Sequence, residues 1–371
     1  MPSYIIIGAG ILGASTAYHL TNEGEDVLLI DRNDPGQATN AAAGIICPWL
    51  TNRYNKAWYK LVEAGAKYYP KLVAQLKANG ESTTGYHQVG AINVFDTDEK
   101  LDRKMEVALK RQASTPEMGE VTRLSKVETK KLFPPLKDVY GAVHISGAAR
   151  VNGAELRDAL IRGGKAKGLE FLNGDASLEV DDSKVTGVTV SGRSYRAEKV
   201  IVTGGVWSRQ LLESVGLNFL VKPQKAQIVH LQMPDTDTSK WPIVLPPYQQ
   251  YMLTFGNGKI VVGATQEDDV GLDNRITMSG VFEIFEKALK VAPGLASATY
   301  VDTKVGFRPF TPGHLPIIGQ VPGYDGLYVA NGLGASGLTS GPYLGKELAR
   351  FVMNQSVSIN IKDYDVANAF G

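Results

Sequence analysis

Apolar positions at the start of the chain follow a strand–helix–strand pattern. Tyr4 to Ile7 form a short run rich in β-branched residues, GAGILG follows, and apolar residues then recur at helical spacing as far as Leu20. A second apolar run, Asp26 to Ile30, ends at Asp31. These segments predict a βαβ unit of about 30 residues with a tight turn after its first strand. The chain therefore opens like a nucleotide-binding fold.

Helical and strand-like periodicities alternate through the rest of the chain. FLNGDASLEV and KVTGVTVSG predict hairpin strands, GNGK at 256–259 predicts a hairpin turn, and the final unit predicts strand, glycine-rich loop and helix. The overall pattern predicts an α/β chain, α+β as a whole. Helices are expected at about 50–78, 98–112, 152–168 and 278–291, and strands at 89–95, 199–205 and within 221–265.

Composition narrows the class of protein. A length of 371 residues suggests two domains, or one large α/β unit with an insertion. The 39 basic and 38 acidic residues leave a formal charge of +1, so we expect no nucleic-acid partner and a small-molecule substrate. The single cysteine and the lack of clustered Cys and His predict no metal site and a cytoplasmic location. The sequence contains no uninterrupted apolar stretch of about 18 residues, so we expect no transmembrane segment. Peripheral membrane association and a homo-oligomer both stay open.

The glycines between the first strand and helix form a dinucleotide-binding pattern. Gly8 permits the turn, Gly10 lets the backbone approach a pyrophosphate, and Gly13 lets the helix pack on the strand. The helix N-terminus then offers amide donors and a positive dipole end. Asp31 has the expected spacing for a carboxylate on a ribose diol and disfavours NADP. Taken alone, Asp31 also fits a solvated strand end.

This fingerprint does not distinguish NAD from FAD, but two further segments do. Small residues from Ala41 to Gly44 follow the acid, where bulky side chains would block a ligand. The loop GLGASGLTSG precedes the last helix, so its free amides favour the polar edge of a flavin. FAD is therefore the predicted cofactor.

Arg308 is the one cation in the apolar segment VGFRPFTPGHLPIIG. Stripping a guanidinium of water costs several kcal/mol unless a partner is supplied. Either the side chain reaches solvent, or the fold holds an anion for it, which is a ligand or an internal acid such as Asp302 or Glu267.

GAGILG with Asp31, AAAGII, TGGVWS, GFRPFTPGHLPIIG and the closing glycine loop resemble the D-amino acid oxidase superfamily of FAD enzymes, in its branch of glycine oxidases, sarcosine oxidases and D-amino acid dehydrogenases. The resemblance spans nearly the whole chain. It implies a Rossmann-like FAD-binding domain built from discontinuous segments, with an inserted mixed-sheet substrate domain. The implied FAD-binding segments are 1–80, 141–220 and 300–371, and the implied substrate-binding segments are 81–140 and 221–299.

The resemblance also implies the cofactor site. FAD is expected to be non-covalent, because no cysteine stands at the family's tethering position and Ala41 stands where related dehydrogenases carry histidine. Residues 334–339 are expected along the isoalloxazine ring, with the adenine near Ala176. The implied cofactor-binding residues are Gly8, Gly10, Ile11, Leu12, Gly13, Asp31, Arg32, Ala42, Ala43, Gly44, Ile45, Ala176, Gly204, Gly205, Trp207, Gly334, Ala335, Ser336, Gly337, Leu338 and Thr339.

The implied catalytic residues are Arg308, on the substrate carboxylate, and Tyr251, a second donor to it; Tyr248 is the neighbouring candidate, and a core role for Tyr251 stays open. The implied reaction transfers a hydride from the α-carbon of glycine, sarcosine or a D-amino acid to flavin N5. Leu333 and Ala335 stand where glycine oxidases tend to carry histidine and arginine, which argues against glycine itself. Oxygen and another electron acceptor both stay open. The alternatives are an NAD-linked dehydrogenase and a non-catalytic flavin-binding module.

Overall fold

The computed structural model describes residues 2–53, 55–248 and 250–371. In these ranges the α-helices are α1 (Ile11–Asn22), α2 (Ala38–Ala41), α3 (Lys56–Ala78), α4 (Asp98–Gln112), α5 (Lys126–Leu132), α6 (Gly153–Lys165), α7 (Ser208–Glu213), α8 (Met278–Val291) and α9 (Gly337–Val352). The strands are β1 (Tyr4–Ile7), β2 (Val27–Asp31), β3 (Ile45–Ile46), β4 (His87–Gln88), β5 (Ala91–Phe95), β6 (Val121–Leu124), β7 (Gly141–Ile145), β8 (Ala149–Arg150), β9 (Glu170–Asn173), β10 (Ala176–Asp181), β11 (Lys184–Val190), β12 (Arg193–Arg196), β13 (Lys199–Val202), β14 (Lys222–Gln232), β15 (Ile243–Leu245), β16 (Tyr251–Thr254), β17 (Lys259–Gly263), β18 (Thr299–Phe310), β19 (Ile317–Gln320) and β20 (Leu327–Asn331).

A six-stranded sheet carries the predicted βαβ unit. Its order is β19-β20-β13-β1-β2-β9, and every neighbouring pair except β19 with β20 is parallel. The strands β1, β2 and β13 are almost wholly buried, as expected for a parallel sheet covered on both faces. On one side α1 packs between α6 and α9. The nucleotide-binding unit predicted from the apolar pattern is therefore confirmed.

The hairpin predicted between FLNGDASLEV and KVTGVTVSG is confirmed for the second half of its first segment. Ala176–Asp181 form β10, which pairs antiparallel with β11, and β11 pairs in turn with β12. A bend at Gly174 and Asp175 separates β10 from β9, which joins the edge of the six-stranded sheet in parallel with β2. The break between β9 and β10 was not predicted, because both segments have the periodicity of strands.

The second large sheet has eight strands in the order β18-β14-β17-β16-β15-β5-β7-β6 and is mostly antiparallel. The predicted hairpin turn at 256–259 is confirmed between β16 and β17, and α8 matches the predicted helix at 278–291. The C-terminal half of β18 packs against α2 and against the short helical turns that follow β13 and β20. The two sheets therefore meet where the glycine-rich loops lie.

The domain boundaries predicted from the sequence stay a prediction. All strands of the six-stranded sheet fall in segments predicted to bind FAD. The eight-stranded sheet takes β7 and most of β18 from those same segments. Within the described ranges, no helix has both the length and the apolar character needed to cross a membrane.

Candidate active site

The first glycine loop is closed by tight backbone contacts and open on one side. A Cβ on Gly8, whose φ is +106°, would lie 2.7 Å from the Gly204 Cα, and one on Gly13 would lie 1.9 Å from the Gly8 carbonyl oxygen. A Cβ on Gly10 would meet only the Thr39 hydroxyl, at 3.4 Å. Gly8 and Gly13 thus allow close packing, whereas Gly10 leaves room for a ligand. The Ile11 amide donates to that threonine hydroxyl at 3.0 Å, which orients the start of α1.

Asp31 fixes the end of β2 beside this loop. Its carboxylate accepts hydrogen bonds from the backbone amides of Ala9 and Asn33, both at 2.6 Å, and from the Gln37 side chain at 2.9 Å. Arg32 next to it makes salt bridges of 2.9 and 3.0 Å to two acids, Asp34 and Asp175. The acid predicted to bind a ribose therefore lies partly exposed at the rim of the loop, held in one orientation.

The second glycine-rich loop follows β20 and leads into α9. The Asn331 side-chain amide donates at 2.9 Å to both the Gly205 carbonyl oxygen and the Ser208 hydroxyl, which ties this loop to the TGG segment after β13. Thr339 donates to the Ile45 carbonyl oxygen at 3.0 Å, which ties α9 to the AAAG segment. Three loops that are distant in sequence thus surround one space.

That space is a cavity of about 420 Å³. Two predicted cofactor residues do not line it: Gly13 packs against the Gly8 carbonyl, and Ser336 faces a neighbouring cavity, where it accepts a hydrogen bond from Trp58 at 3.1 Å. The other predicted site residues all line it: Gly8, Gly10, Ile11, Leu12, Asp31, Arg32, Ala42, Ala43, Gly44, Ile45, Ala176, Gly204, Gly205, Trp207, Gly334, Ala335, Gly337, Leu338, Thr339, Tyr251 and Arg308.

Arg308 belongs to β18 and lines this cavity. Its Nη1 donates to the Gln224 side-chain oxygen at 2.9 Å across the β14–β18 register. No carboxylate of the described residues lies within 4.0 Å of its guanidinium, since Asp302 pairs with His230 and Glu267 with Lys225. Burial lowers the pKa of Arg308, although the nearby Tyr251 and Asp268 oppose that shift. Neither acid considered as an internal partner takes that role.

Tyr251 begins β16 and also faces Arg308. Burial raises the pKa of its phenol to about 12, against the opposing effect of the arginine, so the hydroxyl stays a proton donor at neutral pH. The neighbouring candidate Tyr248 is 42% exposed and stacks on Lys290, and it lines neither cavity. Of the two tyrosines, only Tyr251 is in reach of a ligand held by Arg308.

A second cavity of about 310 Å³ adjoins the first. Five residues line both: Ile45, Tyr251, Arg308, Ala335 and Thr339. Among the residues that the structure describes, no Asp, Glu or His lines the smaller cavity. Its other lining residues are Cys47, Pro48, Thr51, Trp58, Val62, Gln250, Ala264, Gln266 and Ser336.

Most residues of the smaller cavity were not predicted from the sequence. Trp58 reaches it because Asn55 caps α3, accepting the Trp58 amide at 2.9 Å, so that the first turn of the helix faces inward. Gln250 lies just before β16. Neither residue belongs to a recognisable motif, and only the tertiary fold brings them together. Burial raises the pKa of Cys47 to about 12, so this thiol stays protonated.

These features fit an FAD. The glycine positions leave a space beside a helix N-terminus, and the lining of this space includes both the fixed carboxylate of Asp31 and the loop before α9. In the described part of the chain, no group of three His, Cys, Asp or Glu side chains could hold a metal ion.

The chain belongs to the family described as DAO, FAD dependent oxidoreductase, whose profile matches residues 3–351. It is an FAD-dependent oxidoreductase. The predicted superfamily, cofactor and enzyme class are therefore confirmed. The NAD-linked and non-catalytic alternatives are wrong.

Three relatives define the similarity more closely. The chain is 55% identical over 370 residues, the full length of both proteins, to the "Uncharacterized oxidoreductase YurR" of Bacillus subtilis strain 168. It is 45% identical to iminodiacetate oxidase (IdaA) from Chelativorans sp. BNC1, whose crystal structure superposes with a TM-score of 0.95 over 98% of each chain. It is 27% identical over 97% of each chain to glycine oxidase from Pseudomonas aeruginosa.

Proposed function

We propose that this enzyme oxidises a small amino acid at the carbon between its amine and carboxylate, with N-substituted glycines such as sarcosine and iminodiacetate ahead of glycine and D-amino acids. The observation that carries the proposal is the guanidinium of Arg308, which lines both cavities and has no carboxylate partner among the described residues. The 45% identity to an iminodiacetate oxidase supports the secondary amines.

The carboxylate clamp follows from the groups around Arg308. Gln224 accepts one hydrogen bond from Nη1 and so restrains the guanidinium from one side. The remaining donors are free to bind a carboxylate with two hydrogen bonds, a geometry that fixes orientation as well as position. Tyr251 adds a neutral donor, because its pKa of about 12 keeps the phenol protonated. Because Arg308 and Tyr251 line both cavities, a carboxylate held between them lies at the junction of the two cavities.

Bound FAD supplies the hydride acceptor for this oxidation. In the described part of the chain, no Asp, Glu or His lines the smaller cavity to take a proton from the amine. The amine must therefore enter unprotonated, and the contribution of the protein is to orient it and exclude water. The imine product hydrolyses in solution. Oxygen or another acceptor regenerates the oxidised cofactor.

Anaerobic reduction tests the proposal directly. Sarcosine, iminodiacetate, glycine and D-alanine are added separately to the FAD-loaded enzyme, with dimethylamine as the control that lacks a carboxylate. We expect at least one N-substituted glycine to bleach the visible flavin absorbance, and dimethylamine to leave it unchanged. Unchanged spectra with all four amino acids would contradict the proposal. The same amines in air with peroxide detection then distinguish oxygen from other acceptors.

A further inference from the structure

Gln250 carries a buried donor without a partner. Its side chain is 8% exposed and lines the smaller cavity, and its Nε2 has no hydrogen-bond partner among the described residues. Buried side-chain amides are nearly always hydrogen-bonded, so an unpartnered one in a cavity wall indicates a ligand acceptor. Neither the carboxylate clamp nor the FAD cavity accounts for this amide, since Gln250 lines only the smaller cavity.

The charge around the smaller cavity indicates what kind of acceptor it is. The lining residues include Arg308 and no acid. At Trp58, which also lines the cavity, the guanidinium of Arg53 stacks 4.4 Å from the ring centroid and donates to the His314 carbonyl oxygen at 2.6 Å. In the residues that the structure describes, no carboxylate pairs with Arg53 either. Arg308 in the cavity wall and Arg53 behind Trp58, with no acid among the described lining residues, favour a ligand with two negative groups.

We propose that Gln250 determines specificity by donating a hydrogen bond from Nε2 to the second carboxylate of an N-carboxymethyl amino acid. This inference rests on the proposed function, in which Arg308 holds the first carboxylate. The N-carboxymethyl group of the substrate then extends into the smaller cavity, where its carboxylate contacts Gln250. An N-methyl substrate leaves the same amide unsatisfied, and a site built to hydrogen-bond a group discriminates strongly against an analogue that lacks it.

Gln266 provides a matched control. It lines the same cavity, but the residue is exposed, so solvent reaches it. Substitution of Gln250 or Gln266 by Met removes a side-chain amide from the wall of the smaller cavity in both cases. Only at Gln250 does the removal abolish a desolvated donor.

Binding of two analogues that cannot be oxidised at an amine tests the inference apart from catalysis. Thiodiacetate and (methylthio)acetate carry sulfur in place of nitrogen and differ by one carboxylate. Their dissociation constants are measured by calorimetry with FAD-loaded wild type, Gln250→Met, Gln250→Glu and Gln266→Met. Wild type is expected to prefer thiodiacetate, and Gln250→Met to reduce that preference about tenfold, as for loss of a hydrogen bond to a charged group. Gln250→Glu, which places a like charge there, reduces it further.

The outcomes separate this inference from the proposed function. An unchanged preference in Gln250→Met, or an equal loss in Gln266→Met, would overturn the role of Gln250, as would a wild type that binds both analogues equally. A preference retained by wild type and lost in Gln250→Met, in an enzyme whose flavin no amine bleaches, would uphold the dicarboxylate site and reject the proposed oxidation. Thermal unfolding of each variant verifies that Met, of similar volume, leaves the fold intact.

Discussion

Two cations on the neighbouring strands β14 and β18 differ in how the fold satisfies them. Lys225 is 1% exposed and pairs with Glu267 at 3.5 Å. That carboxylate also accepts hydrogen bonds from Gln227 at 2.8 Å and Thr265 at 2.7 Å. The protein itself therefore supplies the ion-pair partner of this buried charge and holds that partner in place.

Arg308, one position beyond the cross-strand partner of Lys225, has a different environment. It receives one neutral partner from the fold, Gln224, and otherwise faces the two cavities. A buried charge that pairs with another group of the protein contributes to the stability of the fold, whereas a buried charge without such a partner is available to bind a ligand. The comparison predicts that removing Lys225 damages stability and that removing Arg308 damages substrate binding.

The largest effect is expected for Arg308→Met. Removing one partner of a desolvated charge pair costs about 2 to 5 kcal/mol, so kcat/KM for a carboxylate substrate should fall about 30-fold or more. Flavin absorbance and the thermal unfolding midpoint should stay near wild type, because the arginine has no internal ion pair to lose. Steady-state kinetics with sarcosine or iminodiacetate measure the loss.

Lys304→Met is the matched control for this variant, since Lys304 is an exposed cation on the same strand. It should leave kcat/KM within about twofold of wild type, as expected for a screened surface charge. Loss of FAD from Arg308→Met, or an equal kinetic loss in the control, would assign the arginine a structural role.

Lys225→Met should produce the opposite result. It leaves the Glu267 carboxylate partly buried without its cation, and we expect the free energy of unfolding to fall by about 2 kcal/mol, reduced from the fully buried case because the acid keeps some exposure. Affinity for carboxylate substrates should hardly change. Urea unfolding of the FAD-loaded proteins measures the difference, and a stable variant with weakened substrate binding would reverse the comparison.

The pH dependence of that stability loss has a defined sign. Burial alone raises the pKa of Glu267, but hydrogen bonds from Gln227 and Thr265 and the charge of Lys225 outweigh it and lower the pKa. A lowered carboxylate pKa gives stability that is present above about pH 4.3, the ordinary value, and is lost as pH falls through the folded value. The difference in the free energy of unfolding between wild type and Lys225→Met should therefore decrease below about pH 4. A gap that is constant from neutral to acid pH would contradict the ion pair.

The same contrast separates what the sequence could predict from what it could not. The roles of Gly8 and Gly13 could be predicted because the backbone packs so closely at these positions that no Cβ fits. This requirement for glycine produces a short motif that is visible in the sequence. Arg308 was readable because an isolated charge in an apolar segment needs a partner wherever the chain folds. Gln224 and Gln250 left no such mark. Their roles arise from strand register and from a cavity wall, which depend on pairings between distant segments.

Of these variants at the proposed substrate site and the Lys225 ion pair, Tyr251→Phe should have the smallest effect. The change removes one neutral donor to a carboxylate that Arg308 still holds, so we expect kcat/KM to fall about tenfold, near 1.5 kcal/mol, with no loss of stability. Because the phenol titrates only near pH 12, wild type should lose no activity through Tyr251 up to about pH 10, where an ordinary tyrosine titrates. Tyr248→Phe, at the exposed neighbour, is the matched control and should leave kcat/KM unchanged. An equal loss in both variants would mean that Tyr251 acts as a core aromatic, and Arg308 with Gln224 would then form the whole clamp.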